Sequence, residues 1–228
     1  MPTGTYAARR AEVEHYFDRT AAQTWARLTS DAPVSGIRAT VRAGRDRMRA
    51  TLLSWLPADM AGLRLLDAGC GTGALAVEAA ARGAEVLAVD LSPTLLETAR
   101  ERCAGVPGLT FLAGDMLDGA HGAFDHVAAM DSLIHYRGPD IAAALARLAP
   151  RVRRSMVFTV APRTPLLAAM HLAGRLFPRG DRAPAIEPLE PARLRALLAE
   201  ALPGFRPGRD ARVDTGFYKS HAFEWVRR

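Results

Sequence analysis

The stretch Leu65-Leu-Asp-Ala-Gly-Cys-Gly-Thr-Gly73 constrains this chain more than any other. An apolar run at residues 63–67 gives way to glycines at 69, 71 and 73, and then to an alanine-rich run at 74–81. Glycine lets the chain turn tightly at the end of a strand and brings backbone close to a ligand. The run at 63–67 therefore predicts a buried strand, and 74–81 a helix. Further strands are predicted at 85–90, 109–113, 124–130 and 155–160. Pro93 sits where the first turn of a helix would begin, and a further helix is predicted at 139–148. Strand–helix alternation of this kind predicts an α/β fold with a doubly wound, mostly parallel sheet.

Acids punctuate the carboxyl ends of these strands. Asp90 closes the second strand, 23 residues after Asp67, where a carboxylate can accept both hydroxyls of an adenosine ribose. Asp115-Met116 follows the third strand, an acid plus a flat apolar side chain suited to the amine and face of adenine. Open sheets bind ligands at this edge. The segment Gly69 to Ala74 also fits the dinucleotide pattern with alanine last. Two features argue against a nicotinamide cofactor. Asp67 puts negative charge where a diphosphate would approach, yet it suits a cationic ammonium. The chain also lacks a second nucleotide-binding half.

Residues 6–29 and 36–56 have helical spacing, and Pro57 is expected to end the second helix. On the second, Ile37, Val41, Met48, Leu52 and Trp55 form an apolar stripe, and Arg38, Arg42, Arg45 and Arg49 a basic one. A basic stripe lines an anionic pocket, lies on a membrane surface, or is a solvated face. Prolines punctuate the chain after residue 161, around one apolar helix expected at 166–177. A helix at 191–201 and two strands between 205 and 226 complete the pattern. The expected organisation is an N-terminal helical arm or lid at 1–57 and a core at 58–228, with a lid-like insertion at 162–190.

Composition removes several classes. With 49% hydrophobic and 24% charged residues among 228, the whole is neither disordered, collagen-like nor coiled coil. Cys70 and Cys103 cannot build a disulfide framework, so a reducing compartment is expected. No apolar run reaches the roughly 20 residues that span a bilayer, and the N-terminus does not read as a signal peptide. The net charge of +6 is almost all arginine, since Lys219 is the one lysine. A GC-rich genome or an anionic partner would each produce that bias.

The combination of Asp67, the Gly69-Cys-Gly-Thr-Gly73 loop, Asp90 and Asp115-Met116 resembles class I S-adenosylmethionine (SAM)-dependent methyltransferases. The resemblance implies SAM as donor and S-adenosylhomocysteine (SAH) as product. It puts Gly69 and Gly71 on the methionine moiety, with Cys70 an ordinary member of that loop and Asp67 orienting the ligand. Asp90 would hold the ribose, Leu91 pack beside the adenine, and Asp115 and Met116 hold the adenine. Met130 and Asp131 would face the sulfonium.

The Asn/Asp-Pro-Pro-Tyr segment of nucleic-acid amine methylases is absent, and no stacking platform interleaves with the arginines, so nucleic acid is not the expected partner. A narrower likeness spans almost the full length. Tyr16-Phe17, Trp25, Val41-Arg-Ala-Gly-Arg45, Ser54-Trp55-Leu56, Ser132-Leu-Ile-His-Tyr136 and Thr215-Gly-Phe-Tyr-Lys-Ser220 are similar to magnesium protoporphyrin IX methyltransferases of bacteriochlorophyll synthesis. Where chlorophyll-branch relatives tend to read Arg-Ile-Tyr-Gly, this chain has Arg27-Leu-Thr-Ser30, so a role for that tyrosine does not carry over.

The implied reaction esterifies one propionate of magnesium protoporphyrin IX. His135 is the expected catalytic residue, either orienting the propionate or accepting its proton. Arg42 and Arg45 are expected on the non-reacting propionate, with Tyr16 and Tyr136 lining the porphyrin. No histidines stand at metal spacing, so no protein-bound metal is expected. Coupling to the magnesium chelatase large subunit follows from the resemblance. The compartment is expected to be cytoplasmic, with peripheral contact to a photosynthetic membrane through the arginine-flanked segment 164–182. Two alternatives stay open: methylation of a quinone or other small acceptor, and a non-catalytic carrier of SAM or porphyrin.

Overall fold

The computed structural model describes residues 4–18, 29, 36–163 and 185–228. Its centre is a seven-stranded sheet ordered β3-β2-β1-β4-β5-β7-β6. The strands are β1 (Arg64–Ala68), β2 (Glu85–Asp90), β3 (Leu109–Ala113), β4 (Phe124–Ala129), β5 (Val152–Val160), β6 (Phe205–Asp214) and β7 (Lys219–Arg227). β1 to β5 run parallel, and β7 enters antiparallel between β5 and β6. The helices are α1 (Gly4–Tyr16), α2 (Ile37–Ser54), α3 (Ala74–Ala81), α4 (Pro93–Arg102), α5 (Gly138–Leu148) and α6 (Pro191–Ala201).

Period-2 alternation sends neighbouring side chains to opposite faces of a strand, and the central strands obey it. Leu66, Val127 and Phe158 bury one face with Tyr6, Ile141, Leu145 and Leu198. Leu65, Ala128 and Val157 bury the other with Met48, Leu52, Leu75 and Ala79. β4 is buried along its whole length, as a central parallel strand covered on both faces must be. At the start of α4, the Ser92 side chain accepts from Leu95 N at 3.2 Å and Pro93 occupies the first turn, so the helix begins directly after Asp90.

Several boundaries differ from expectation: β1 lies one residue later than 63–67, and β5 begins at Val152 rather than 155. α2 stops at Ser54, with Trp55 N bonded to Leu52 O, so Pro57 follows the end of the helix rather than making it. Ile37 leaves the apolar stripe and is 55% exposed. Met48, Leu52 and Leu53 are fully buried, so packing makes α2 part of the core, although the sequence divides at residue 57. The helix expected at 166–177 lies outside the described residues. So do Trp25 and most of the helix expected at 6–29, of which α1 is the described part. The flanks of the 162–190 insertion are joined: Leu189 N donates to Ala161 O at 2.9 Å, and Arg163 N to Leu189 O at 2.8 Å.

Candidate active site

A cavity of about 430 Å³ opens at the carboxyl ends of β1 to β4. The glycine loop forms its floor. Gly69 holds φ +82, and a side chain there would collide with Ser132, whose Oγ donates to Ala68 O at 2.7 Å. Gly69 thus lets the ends of β1 and β4 meet. Gly71 N donates to Asp90 Oδ2 at 2.7 Å, and Ser92 N to Asp90 Oδ1 at 3.0 Å. These bonds fix the Asp90 carboxylate at the cavity wall, with Leu91 beside it.

Asp67 is 2% exposed. Burial, and secondarily the negative charge of Asp90, push its carboxyl up to about 7, against a stabilising bond from the Ala76 backbone. Burial also raises Asp90, opposed by backbone donors at Ser92, Gly71 and Leu91. Among the described residues, no cation pairs with either acid. Two neighbouring acids without a counter-ion form a site for a cationic ligand group. Cys70 and Cys103 also face the cavity, and burial raises both thiols, which argues against nucleophilic chemistry.

The N-terminal helix forms the opposite wall. Asp115 accepts from Arg10 Nη1 at 2.9 Å and Tyr6 Oη at 3.2 Å, as well as from Leu117 N. Tyr6 stacks on Tyr136 with ring centroids 4.9 Å apart. Thr5 bonds Asp140 at 2.7 Å and Arg9 pairs with Glu187 at 3.0 Å, while Asp18 accepts from Thr94 Oγ1 at 2.9 Å. Asp115, expected on an adenine, thus also anchors α1. Met116 is buried against the same cavity.

Tyr16 is absent from the lining, and Phe17 stands there instead. The two rings pack edge to face at 5.2 Å, and the one-residue step turns Tyr16 away. Arg42, Arg45 and Arg49 reach the cavity from α2, whereas Arg38 is exposed and outside it. Arg45 already pairs with a carboxylate, that of Asp131. Asp131 also accepts from Tyr218 Oη at 3.0 Å and Thr159 Oγ1 at 3.1 Å. Met130 lines the cavity next to it.

His135 closes the short helical turn Leu133–His135 and is buried. Its Nδ1 lies 3.4 Å from Ala185 O, and Phe17 packs against its ring at 5.9 Å. A carbonyl only accepts, so this contact is a hydrogen bond when Nδ1 carries the hydrogen. Sequence reasoning missed Tyr6, Arg10 and Thr159 altogether, and had Tyr218 only as part of a tail motif. Tyr6 and Arg10 stand four apart on one helix face, which was the available signal.

Among the described residues, no group of three or more His, Cys, Asp or Glu is placed to hold a metal, and no helix is long and apolar enough to cross a membrane.

A family model described as "Magnesium-protoporphyrin IX methyltransferase C-terminus" matches residues 129–227, and one described as "Methyltransferase domain" matches 65–155. The chain is 49% identical to a magnesium-protoporphyrin O-methyltransferase of Rhodobacter capsulatus over 230 aligned positions, 99% of each protein. It is 30% identical to the Synechocystis enzyme of that name, over 94% of this chain and 95% of that one. The crystal structure of magnesium protoporphyrin IX methyltransferase (ChlM) from Synechocystis PCC 6803 with bound SAH superposes with a TM-score of 0.85. It covers 96% of this chain and all of its own, at 30% identity.

Proposed function

The chain belongs to the magnesium-protoporphyrin O-methyltransferase family, and from that premise we propose its reaction. It transfers the methyl group of SAM to a propionate carboxylate of magnesium protoporphyrin IX, giving the monomethyl ester and SAH, in (bacterio)chlorophyll biosynthesis. The observation that carries this reading is the full-length likeness combined with a cavity whose acids, Asp67 and Asp90, meet no cation among the described residues.

The residues fit the donor. Asp67 offers its buried charge to the ammonium, Gly69 and Gly71 bring backbone to the methionine end, and Asp90 offers a fixed carboxylate to the ribose hydroxyls. Leu91, Met116 and Asp115 provide the surface for adenine, and Cys70 and Met130 fill the wall between. SAM supplies an electrophilic methyl group: the carboxylate oxygen forms the new C–O bond while the C–S electron pair returns to sulfur.

A propionate is ionised near neutral pH, its pKa being about 4–5, so no base is needed to make the nucleophile. The residues around the cavity chiefly hold the acceptor in line and exclude water, which alignment arguments value at several kcal/mol. His135, at the cavity wall, orients the propionate, or accepts its proton when the acceptor arrives as the acid. Arg42 is the residue we assign to the non-reacting propionate. Arg45 was expected there as well; its pairing with Asp131 supports a different role. Tyr136, held by Tyr6, lines the ring.

The substrate is the product of metal insertion, which supports coupling to the magnesium chelatase large subunit. A hydrophobic pigment and the arginine-flanked sequence of 164–182 support peripheral contact with the photosynthetic membrane.

Incubating the full chain with methyl-labelled SAM and magnesium protoporphyrin IX, followed by mass spectrometry, tests the reading. The expected product is pigment carrying one labelled methyl ester. Bound SAM with unaltered pigment would contradict it.

A further inference from the structure

Asp131 stands apart in the backbone as well as in its partners. Among the described residues it is the only non-glycine with positive φ, at 56°. L side chains enter that region at a cost, and aspartate and asparagine enter it most readily. Three elements hold it there. Its N–H donates to Thr159 Oγ1 on β5 at 2.7 Å, and that hydroxyl donates back to Oδ1. Tyr218, just before β7, donates to both carboxylate oxygens at 3.0 and 3.2 Å. Arg45 of α2 completes the set through Oδ2. The Asp131 side chain is 4% exposed.

Gly44 explains how α2 comes so near. A Cβ there would lie 2.5 Å from Tyr218 Cδ1, so the helix backbone rests on that ring and presents Arg45 one residue on. Asp131, Thr159 and Tyr218 all fall within the stretch that carries the porphyrin-enzyme match, whereas the general methyltransferase match ends before Thr159. Asp131 and Arg45 line the cavity beside Met130, where Asp131 was expected to face the sulfonium, so the pair stands next to the reacting centre.

Esterification discharges the reacting carboxylate. A guanidinium clamped on that carboxylate would stabilise the reactant more than the transition state and slow the step. We propose that Asp131 is a built-in counter-ion that withholds the Arg45 charge from the reacting carboxylate, and that Tyr218 is the positioning residue that keeps it there. This rests on the carboxyl-methylation reading above.

The test uses the full chain as wild type, Asp131→Asn, Tyr218→Phe and Asp131→Asn/Arg45→Ala. Pigment esterification is measured at saturating SAM, and SAH binding by calorimetry. Asparagine keeps the left-handed backbone but removes the carboxylate charge that Arg45 meets there. We expect kcat and KM for the pigment to fall together in Asp131→Asn, kcat by about tenfold or more, the signature of an over-stabilised ground state. Tyr218→Phe moves both the same way by about threefold. Removing Arg45 from Asp131→Asn restores most of kcat. SAH affinity stays within about twofold throughout. Were Tyr218→Phe to lose its melting transition, the Asp131→Asn pair would decide alone. An active wild type with unchanged kcat in Asp131→Asn, a raised pigment KM, or a parallel loss of SAH affinity would overturn the proposal. A wild type that binds SAH and esterifies no pigment overturns the underlying reading, and this proposal with it.

Discussion

Asp67 is where the unliganded protein stores strain in electrostatic form. Its folded pKa of about 7 lies above the unfolded carboxyl value. The penalty is absent while the group is protonated in both states, below about pH 4, and is complete above about pH 7. The unliganded chain should therefore lose stability as pH rises through that window. Asp67→Asn removes the penalty. Its thermal midpoint at pH 8, followed by circular dichroism, should exceed wild type by several degrees, while SAH affinity falls at least tenfold. A midpoint below wild type would show that the carboxylate is compensated within the chain. His135 makes a separate, kinetic prediction. His135→Ala should lower kcat about tenfold at pH 6 and at pH 8 alike, through lost orientation of a carboxylate that is ionised at both, with SAH binding unchanged. Turnover equal to wild type at both pH values would remove the imidazole from the chemistry.

Among the elements, the ones bounded by glycine or proline were the most legible. Residues 74–81, 85–90, 109–113 and 191–201 form elements with the ends expected from sequence. Glycine and proline act locally, so local reading finds them. The acids at strand ends were legible for the same reason: Asp67 and Asp90 lie at the ends of β1 and β2, and Asp115 just past β3, ends that the pattern marks. The Asp131 cluster was not, because Arg45 and Tyr218 stand 86 and 87 residues away from it. Tyr6 and Asp115 are 109 apart, and no spacing on one helix announces such a contact. Gly44 was quoted within a motif, but its purpose needed the fold. Gly44→Ala forces α2 off the Tyr218 ring and should destabilise by about 1–3 kcal/mol, as overpacking does. For a chain of this length that is a fall of roughly 2–10 °C in melting midpoint. An unchanged midpoint would mean that the helix shifts freely.

Over the whole molecule, the sheet sorts the site by chain region. β1 to β3 supply the acids and glycines for the donor, and β4, β5, the turn before β7 and α2 supply the cluster around Asp131. α1 and the residue after it span both, with Arg10 and Tyr6 on Asp115 and Phe17 against His135. One ligand at the donor site should thus stabilise the entire fold. SAH at about 100 times its Kd should raise the melting midpoint by about 5–10 °C, from about 2.7 kcal/mol of linkage. A smaller shift at saturation would mean that the site closes only part of the structure. The central claim is positional: the two uncompensated acids receive the donor. A crystal structure of the chain with SAH measures this most directly. It should show the ammonium within hydrogen-bond reach of Asp67 and the ribose hydroxyls on Asp90. Adenosine density anywhere other than the turn after β1 would contradict it.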